Sequence, residues 1–311
     1  MTAELRLSRS ELWQPNRNKN KLVENTVKAI TAAFAFVSVI ATFGIVLTLI
    51  VETIHFFGVV SPLRFISETR WTPLFSSAQF GIIVLISATL RTAGIAILVA
   101  LPLGLLSAIC LSEYAGVRVR KILKPLLEIL AGIPTVVFGY FALTLVTPQL
   151  LQPLIPGLSG LNALSAGLVL GLAIMPLVTS LSEDAIYAVP RSLRDGAYAL
   201  GATKRETIIA VVLPAALSGI VSSLILAVSR AIGETMIVTL AAGQTPNLGI
   251  DPTVAVLTMT AYIVQIFKGD APAGSIAYLS AYAVGMTLFV MTLLLNIFSF
   301  WFVRRFREKY E

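Results

Sequence analysis

Apolar residues fall into six blocks long enough to cross a bilayer, at roughly 29–51, 81–111, 126–149, 164–182, 215–242 and 275–303. About 20 apolar residues span the hydrocarbon, and a helix satisfies its own backbone polar groups there, so each block predicts a membrane-spanning helix. The first block, AITAAFAFVSVIATFGIVLTLIV, exceeds a signal-peptide core and no small-residue cleavage site follows it, so it is read as a retained span. A seventh apolar stretch, Pro252–Phe267, is shorter and carries Thr253, Thr258, Thr260 and Gln265. It predicts an interfacial or re-entrant helix on the outer face. Glu52 to Phe80 forms a second outer element, in which Trp71-Thr72-Pro73 reads as a membrane-surface anchor and turn.

Composition agrees with this pattern. Of 311 residues, 57% are apolar and 13% charged, and the mean hydropathy is +0.88. Soluble domains carry roughly 45–50% apolar and about 25% charged residues, so a cytosolic enzyme and a disordered chain are both excluded. The net charge of +7 is explained by topology rather than by nucleic acid. Of the 23 Lys and Arg, eighteen lie on one side: Arg6, Arg9, Arg17, Lys19, Lys21 and Lys28 before the first block, Arg118, Arg120, Lys121 and Lys124 after the second, Arg191, Arg194, Lys204 and Arg205 after the fourth, and Arg304, Arg305, Arg307 and Lys309 after the sixth. Arg64, Arg70 and Lys268 lie on the other side. The positive-inside rule then places both termini in the cytoplasm. The expected organisation is a cytoplasmic segment 1–28, an additional span 29–51, an outer (periplasmic) segment 52–80, a membrane core 81–305 with a cytoplasmic loop at about 183–214, and a tail 306–311. One cysteine, Cys110, excludes an intramolecular disulfide and reads as a small packing residue. One histidine, His55, argues against a His-based metal site.

The 183–214 loop has small residues at helical spacing, with Pro190 ending one short helix and Ser192 available to cap the next. Small residues let another surface approach the backbone, and Pro214 marks entry into the fifth span. The order Asp195-Gly196-Ala197, three residues, Gly201, nine residues, Val211, one residue, Leu213-Pro214 resembles the EAA signature of ABC-importer permeases. The signature has Glu, Ala and Ile where this chain has Asp195, Gly196 and Val211. Two further strings, KPLLEILAGIPTVVFGYF (124–141) and SRAIGETMIVTLAAG (229–243), are similar to the PstC-type permeases of phosphate importers. In the related PstA type, Ala-Pro usually follows Gly-Glu-Thr, whereas Met236-Ile237 follows here. The resemblance implies the all-α type I (MetI-like) ABC permease fold in a bacterial inner membrane. It implies that Asp195, Gly196, Ala197, Gly201, Ala202, Leu213 and Pro214 belong to a coupling helix and its flanks, which dock on an ATPase.

Two basic residues fall inside predicted spans, Arg91 and Arg230. A charge at such depth costs at least about 2.5–3.5 kcal/mol, so it faces a cavity or a partner. Glu234 follows Arg230 by four residues, on the same helix face. Two readings stand: a structural ion pair, or a site for a tetrahedral oxyanion, which suits the planar donor fork of Arg. On the second, Glu234 restrains Arg230 and can accept a hydrogen bond from protonated phosphate. The resemblance points to Arg230, Glu234 and the adjoining Thr235 as transport residues; for Arg91 only the membrane argument applies. Glu128 sits near the cytoplasmic end of the third span, and Gly132-Ile133-Pro134-Thr135 should kink that span.

The chain contains no G-x-x-x-x-G-K-[ST] string and so cannot hydrolyse ATP by the P-loop route. The expectation is a permease that binds no cofactor of its own, with ATP and magnesium used by a partner. Its expected partners are a PstA-like permease, a PstB-like ATPase dimer and a PstS-like phosphate-binding protein, with membrane lipid around it. A PstA-like position, another oxyanion such as sulfate, molybdate or phosphonate, and a non-transporting membrane sensor are the rival readings.

Overall fold

The computed structural model describes residues 17–306, and the basic residues expected before and after these lie outside the described part. The chain divides into two compact units, one ending at Val51 and one beginning at Glu52. Helix α1 (Arg17–Phe57) provides the first, with an apolar stretch from Val23 to Phe57.

The second unit holds α2 (Pro62–Ser67), α3 (Ile82–Ile109), α4 (Val117–Ala131), α5 (Thr135–Phe141), α6 (Ala163–Tyr187), α7 (Arg191–Ala199), α8 (Lys204–Thr207), α9 (Leu213–Ile232), α10 (Met236–Ala241), α11 (Met259–Gln265) and α12 (Ile276–Phe306). Among the described residues, five helices are long and apolar enough to cross a membrane, and six if α4 and the continuation of α5 count as one crossing.

The pairing of α3 with α6 is the centre of the unit. Ala88, Thr92, Ala96, Ala100, Gly104 and Ala108 recur at every fourth position of α3, and all are buried. Ala163, Gly167 and Gly171 repeat the spacing on α6. A methyl group added at Gly167 would stand 2.6 Å from Cβ of Ile95, and one at Gly171 would stand 2.7 Å from the carbonyl oxygen of Ala96. Lipid tails remove the hydrophobic incentive for helices to associate, so close backbone approach through small residues has to supply it by dispersion. A buried hydrogen bond between Ser182 and Ser223, at 2.8 Å, ties α6 to α9.

Two of the predicted spans are broken. The block 126–149 bends by 84° between α4 and α5, where Gly132-Ile133-Pro134 interrupts the helix as expected. The block 215–242, expected to be continuous, stops at Ile232 and restarts at Met236. The fifth crossing also starts earlier than expected. A wider π-type turn (Ile208–Val212) joins α8 to α9, so Pro214 lies within a helical run from Lys204 to Ile232 rather than at its beginning. The wide turn accommodates a proline that has no N–H to return to the preceding turn.

Two outer elements also differ from expectation. Trp71 is only 2% exposed, within an aromatic cluster with Phe65, Phe80 and Tyr262, so it is not a membrane-surface anchor. In Pro252–Phe267 only the second half, α11, is helical, with a wider turn beyond it, and Val256–Tyr262 is buried, which removes the interfacial alternative and leaves the re-entrant one. The irregular half has a defined use. Carbonyls of Pro252 and Val254 accept the N–H groups of Leu164 and Ala163, which the first turn of α6 leaves without helical partners.

Candidate functional site

The loop between α6 and α9 is a short helical hairpin. Pro190 is the N-cap of α7, and Ser192 lies inside the helix rather than capping it. The chain leaves α7 through a Schellman turn: Gly201 N–H donates to the Tyr198 carbonyl at 2.9 Å, and Ala202 N–H to the Ala197 carbonyl at 3.1 Å. Gly201 has φ +84° with open space around its Cα. Its glycine therefore serves the backbone turn, a role the sequence pattern does not announce. Gly196 is exposed, with nothing near its missing Cβ, and Asp195 is exposed beside it. Leu200 is 91% exposed at the tip. Thr203 and Glu206 then form a reciprocal capping box that starts α8. Leu213 packs with Leu193 around buried Ile186, Val189 and Val212, which seats the hairpin on the spans.

An ion pair fixes α7 to the end of α3. Arg194 donates to Glu113 Oε1 from Nη2 at 2.7 Å and from Nε at 3.2 Å, and to the carbonyls of Val189 and Ile186 at 2.6 and 3.0 Å. Lys204 rests over the Tyr114 ring at 4.6 Å. Cys110, expected to be packed, is exposed where a wider turn (Cys110–Tyr114) ends the α3 crossing.

Charge also holds α4 to α6. Glu183, 1% exposed, is paired with Arg120 and Lys124, and Lys124 reaches Asp184 as well at 2.8 Å. Arg120 stacks over Tyr187 at 4.0 Å. These partners were not singled out from sequence. The available signal was the Glu-Asp pair at the end of an apolar block, facing a basic run on the same side.

The helix break after Ile232 separates the two charges expected to share a face. Glu234 turns back to accept the N–H groups of Met236 and Ile237 at 3.1 and 3.3 Å, which satisfies the start of α10. The Glu234 carbonyl accepts the Thr260 hydroxyl at 2.7 Å. Thr235 donates its hydroxyl to the Gly233 carbonyl, and its own carbonyl accepts that of Thr239. Arg230, in the last turn of α9, is exposed and makes no hydrogen bond or ion pair with any described residue. It lines a cleft of about 180 Å³ with Thr179, Ser180, Glu128, Lys124 and Glu183.

Arg91 lies elsewhere. Its guanidinium donates to the carbonyls of Asp251 (2.7 Å) and Gly249, holding the loop that follows α10. The Asp251 carboxyl accepts the hydroxyl and N–H of Thr253, which hold it below the ordinary carboxylate range, with the Arg91 charge adding to the effect. Among the described residues no cluster of His, Cys, Asp or Glu could hold a metal ion.

Small-residue seams between apolar crossings, with a polar hairpin between the fourth and fifth, make an all-helical membrane protein with the fold of type I ABC importer permeases. Residues 100–308 match the family described as "Binding-protein-dependent transport system inner membrane component", and the chain belongs to that family. It is 34% identical over 290 residues to the probable ABC transporter permease protein YqgH of Bacillus subtilis (strain 168), covering 93% of each chain. It is 33% identical over 301 residues to the phosphate transport system permease protein PstC of Haemophilus influenzae, covering 89% of this chain and 92% of that one. In fold it is similar to a chain of a bacterial alginate ABC transporter, with TM-score 0.64, 19% identity and coverage of 94% and 99%. A chain of the MetNI methionine ABC transporter gives TM-score 0.55 at 16% identity, over 73% of this chain and 95% of that one.

Proposed function

We propose that this chain is one permease half of an ATP-driven importer of inorganic phosphate. It pairs with a PstA-like permease, and a PstB-like ATPase dimer docks on the α7 hairpin. A PstS-like binding protein delivers phosphate to the opposite face. ATP and magnesium act in the ATPase, and the α7 end faces the cytoplasm together with both termini. Support comes from the PstC-named relatives and the RAIGET string.

The observation that carries the reading is the state of Arg230. A guanidinium at membrane depth demands a counter-charge, yet its sequence neighbour Glu234 is committed to the start of α10. The free donor fork suits a tetrahedral anion crossing between the two permease halves, and a single exposed guanidinium, rather than an enclosed cage of donors, lets the anion leave again. The test is uptake of labelled phosphate by proteoliposomes holding the four-component complex. Uptake of phosphate in preference to sulfate supports the reading. Sulfate or molybdate uptake without phosphate would overturn it.

A further inference from the structure

Helix α4 is turned inside out relative to a helix on a soluble protein. Its charged face, with Arg120, Lys121, Lys124 and Glu128, is directed to α6 and α7, while Ile122, Leu126 and Ile129 on the opposite face are exposed. The charged face lines a groove of about 560 Å³ whose other walls are Leu111, Ser112 and Ala115 beyond the end of α3, together with Tyr187 and Arg191. Ion pairs with Glu183 and Asp184 occupy Arg120 and Lys124. Lys121 and Arg191 have no acidic partner among the described residues, and Glu128 is the groove's free carboxylate.

This groove adjoins the cleft of Arg230. Both are lined by Leu111, Lys124 and Glu128, so Lys124 stands between the deep guanidinium and the outer cations. We propose that the groove between α4, α6 and α7 is an exit vestibule that binds the transported oxyanion, inorganic phosphate, after it leaves Arg230. The proposal rests on the phosphate reading above. Conduction needs successive sites, each weak enough to leave, and a desolvated anion released at Arg230 meets two unpaired cations on the way out. A lipid headgroup offers the same phosphate chemistry, but its chains would have to cross the ion-paired face of α4 to reach the apolar one. The free anion fits the arrangement better.

A site open to the cytoplasm also fills from the cytoplasm. In proteoliposomes of the full complex with ATP inside, lumenal phosphate should therefore slow the initial rate of labelled phosphate uptake. The Lys121→Gln/Arg191→Gln variant, referred to its own rate in phosphate-free vesicles, should need about tenfold more lumenal phosphate for half-inhibition, which is the effect of about 1.4 kcal/mol. The conservative Lys121→Arg/Arg191→Lys variant should stay within about twofold of wild type, a shift of at most about 0.4 kcal/mol. Inhibition should persist in purely phosphatidylcholine vesicles and should not be reproduced by chloride at equal ionic strength. Equal half-inhibition in wild type and the Gln variant would overturn the vestibule, as would inhibition by chloride or inhibition that requires anionic lipid. If the wild-type complex takes up no phosphate at all, the functional reading fails first, and the vestibule fails with it.

Discussion

Arg194 of α7 and Glu113 at the end of α3 are 81 positions apart and meet through two hydrogen bonds to one carboxylate oxygen. The same guanidinium takes up two carbonyls at the end of α6. One side chain thus connects the hairpin to two crossings, and displacement of α7 has a stiff route into the membrane. Cutting one side of a mostly buried pair leaves an uncompensated charge, which costs about 3–5 kcal/mol. Glu113→Gln and Arg194→Met should each lower the thermal midpoint of the purified complex. Both should also raise ATP hydrolysed per substrate imported, whereas Arg194→Lys should restore part of each. An unchanged ratio in all three would remove this link from coupling.

Gly201 and Gly196 separate a backbone requirement from a docking requirement. Only Gly201 has a left-handed backbone, where a Cβ costs roughly 1–2 kcal/mol. Gly201→Asn should be better tolerated than Gly201→Ala, and Gly201→Val worst, as read by coupled transport. Gly196→Ala should be neutral, because nothing lies near its Cα in this chain. Gly196→Trp should block ATPase association while proteolytic protection of the hairpin is unchanged. If Gly196→Trp leaves association intact, the ATPase does not dock on this face.

The α3–α6 seam predicts a purely structural lesion. Gly171→Val places branched carbons against the Ala96 carbonyl, already 2.7 Å from a bare Cβ. Overpacking of this kind costs about 1–3 kcal/mol, and lower membrane levels should result. The same change at Gly94, which has no neighbour within 4 Å, should leave levels at wild type.

The crossings are legible in the chain because hydrocarbon imposes one demand, a self-satisfied backbone, and apolar run length reports it directly. The break after Ile232 was not legible, because Gly-Glu-Thr is short and the residues around it are apolar. What fixes it is Glu234 capping α10 and Thr260 binding the Glu234 carbonyl, the second a contact from 26 positions away. The burial of Trp71 is hidden for a related reason. Its burial depends on Tyr262, which no local pattern announces. The hairpin was located by its spacing, yet the job of Gly201 emerged only from its dihedral angle. Arg91 declared itself by depth, but its partners are carbonyls, which carry no sequence signal at all.

Arg91 and Asp251 give a prediction for the outer loop. Arg91→Gln removes the charged clamp on residues 249–251, so a cysteine placed at Ile250 should be labelled faster from the outer face. The pH dependence has a definite sign. A carboxyl held below its ordinary range contributes order above that range and loses it as pH falls through the lowered value. Because only the thiolate reacts, the rate must be divided by that of a free cysteine peptide at the same pH; this ratio for Ile250→Cys should be flat from neutral pH down to the usual carboxylate range and rise only below it. A rise centred near neutral pH would assign the loop's order to another group.

Arg230 and Glu234 provide the last test, and the helix break changes its logic. Were they a salt bridge, Arg230→Gln would leave a buried carboxylate, and adding Glu234→Gln would repair the damage. They are not paired: Glu234 spends its carboxylate on the N–H groups of Met236 and Ile237. Glu234→Gln keeps a carbonyl oxygen for those donors, so the break and the membrane level should survive. Glu234→Leu lacks one and should reduce both, with loss of the cap costing about 1 kcal/mol. Arg230→Gln should abolish phosphate uptake at normal membrane level, and the Arg230→Gln/Glu234→Gln variant should remain inactive, because the anion still lacks its fork of donors. Uptake restored in that double variant, at equal protein level, would show that the two charges need only each other and would take Arg230 out of the anion's path.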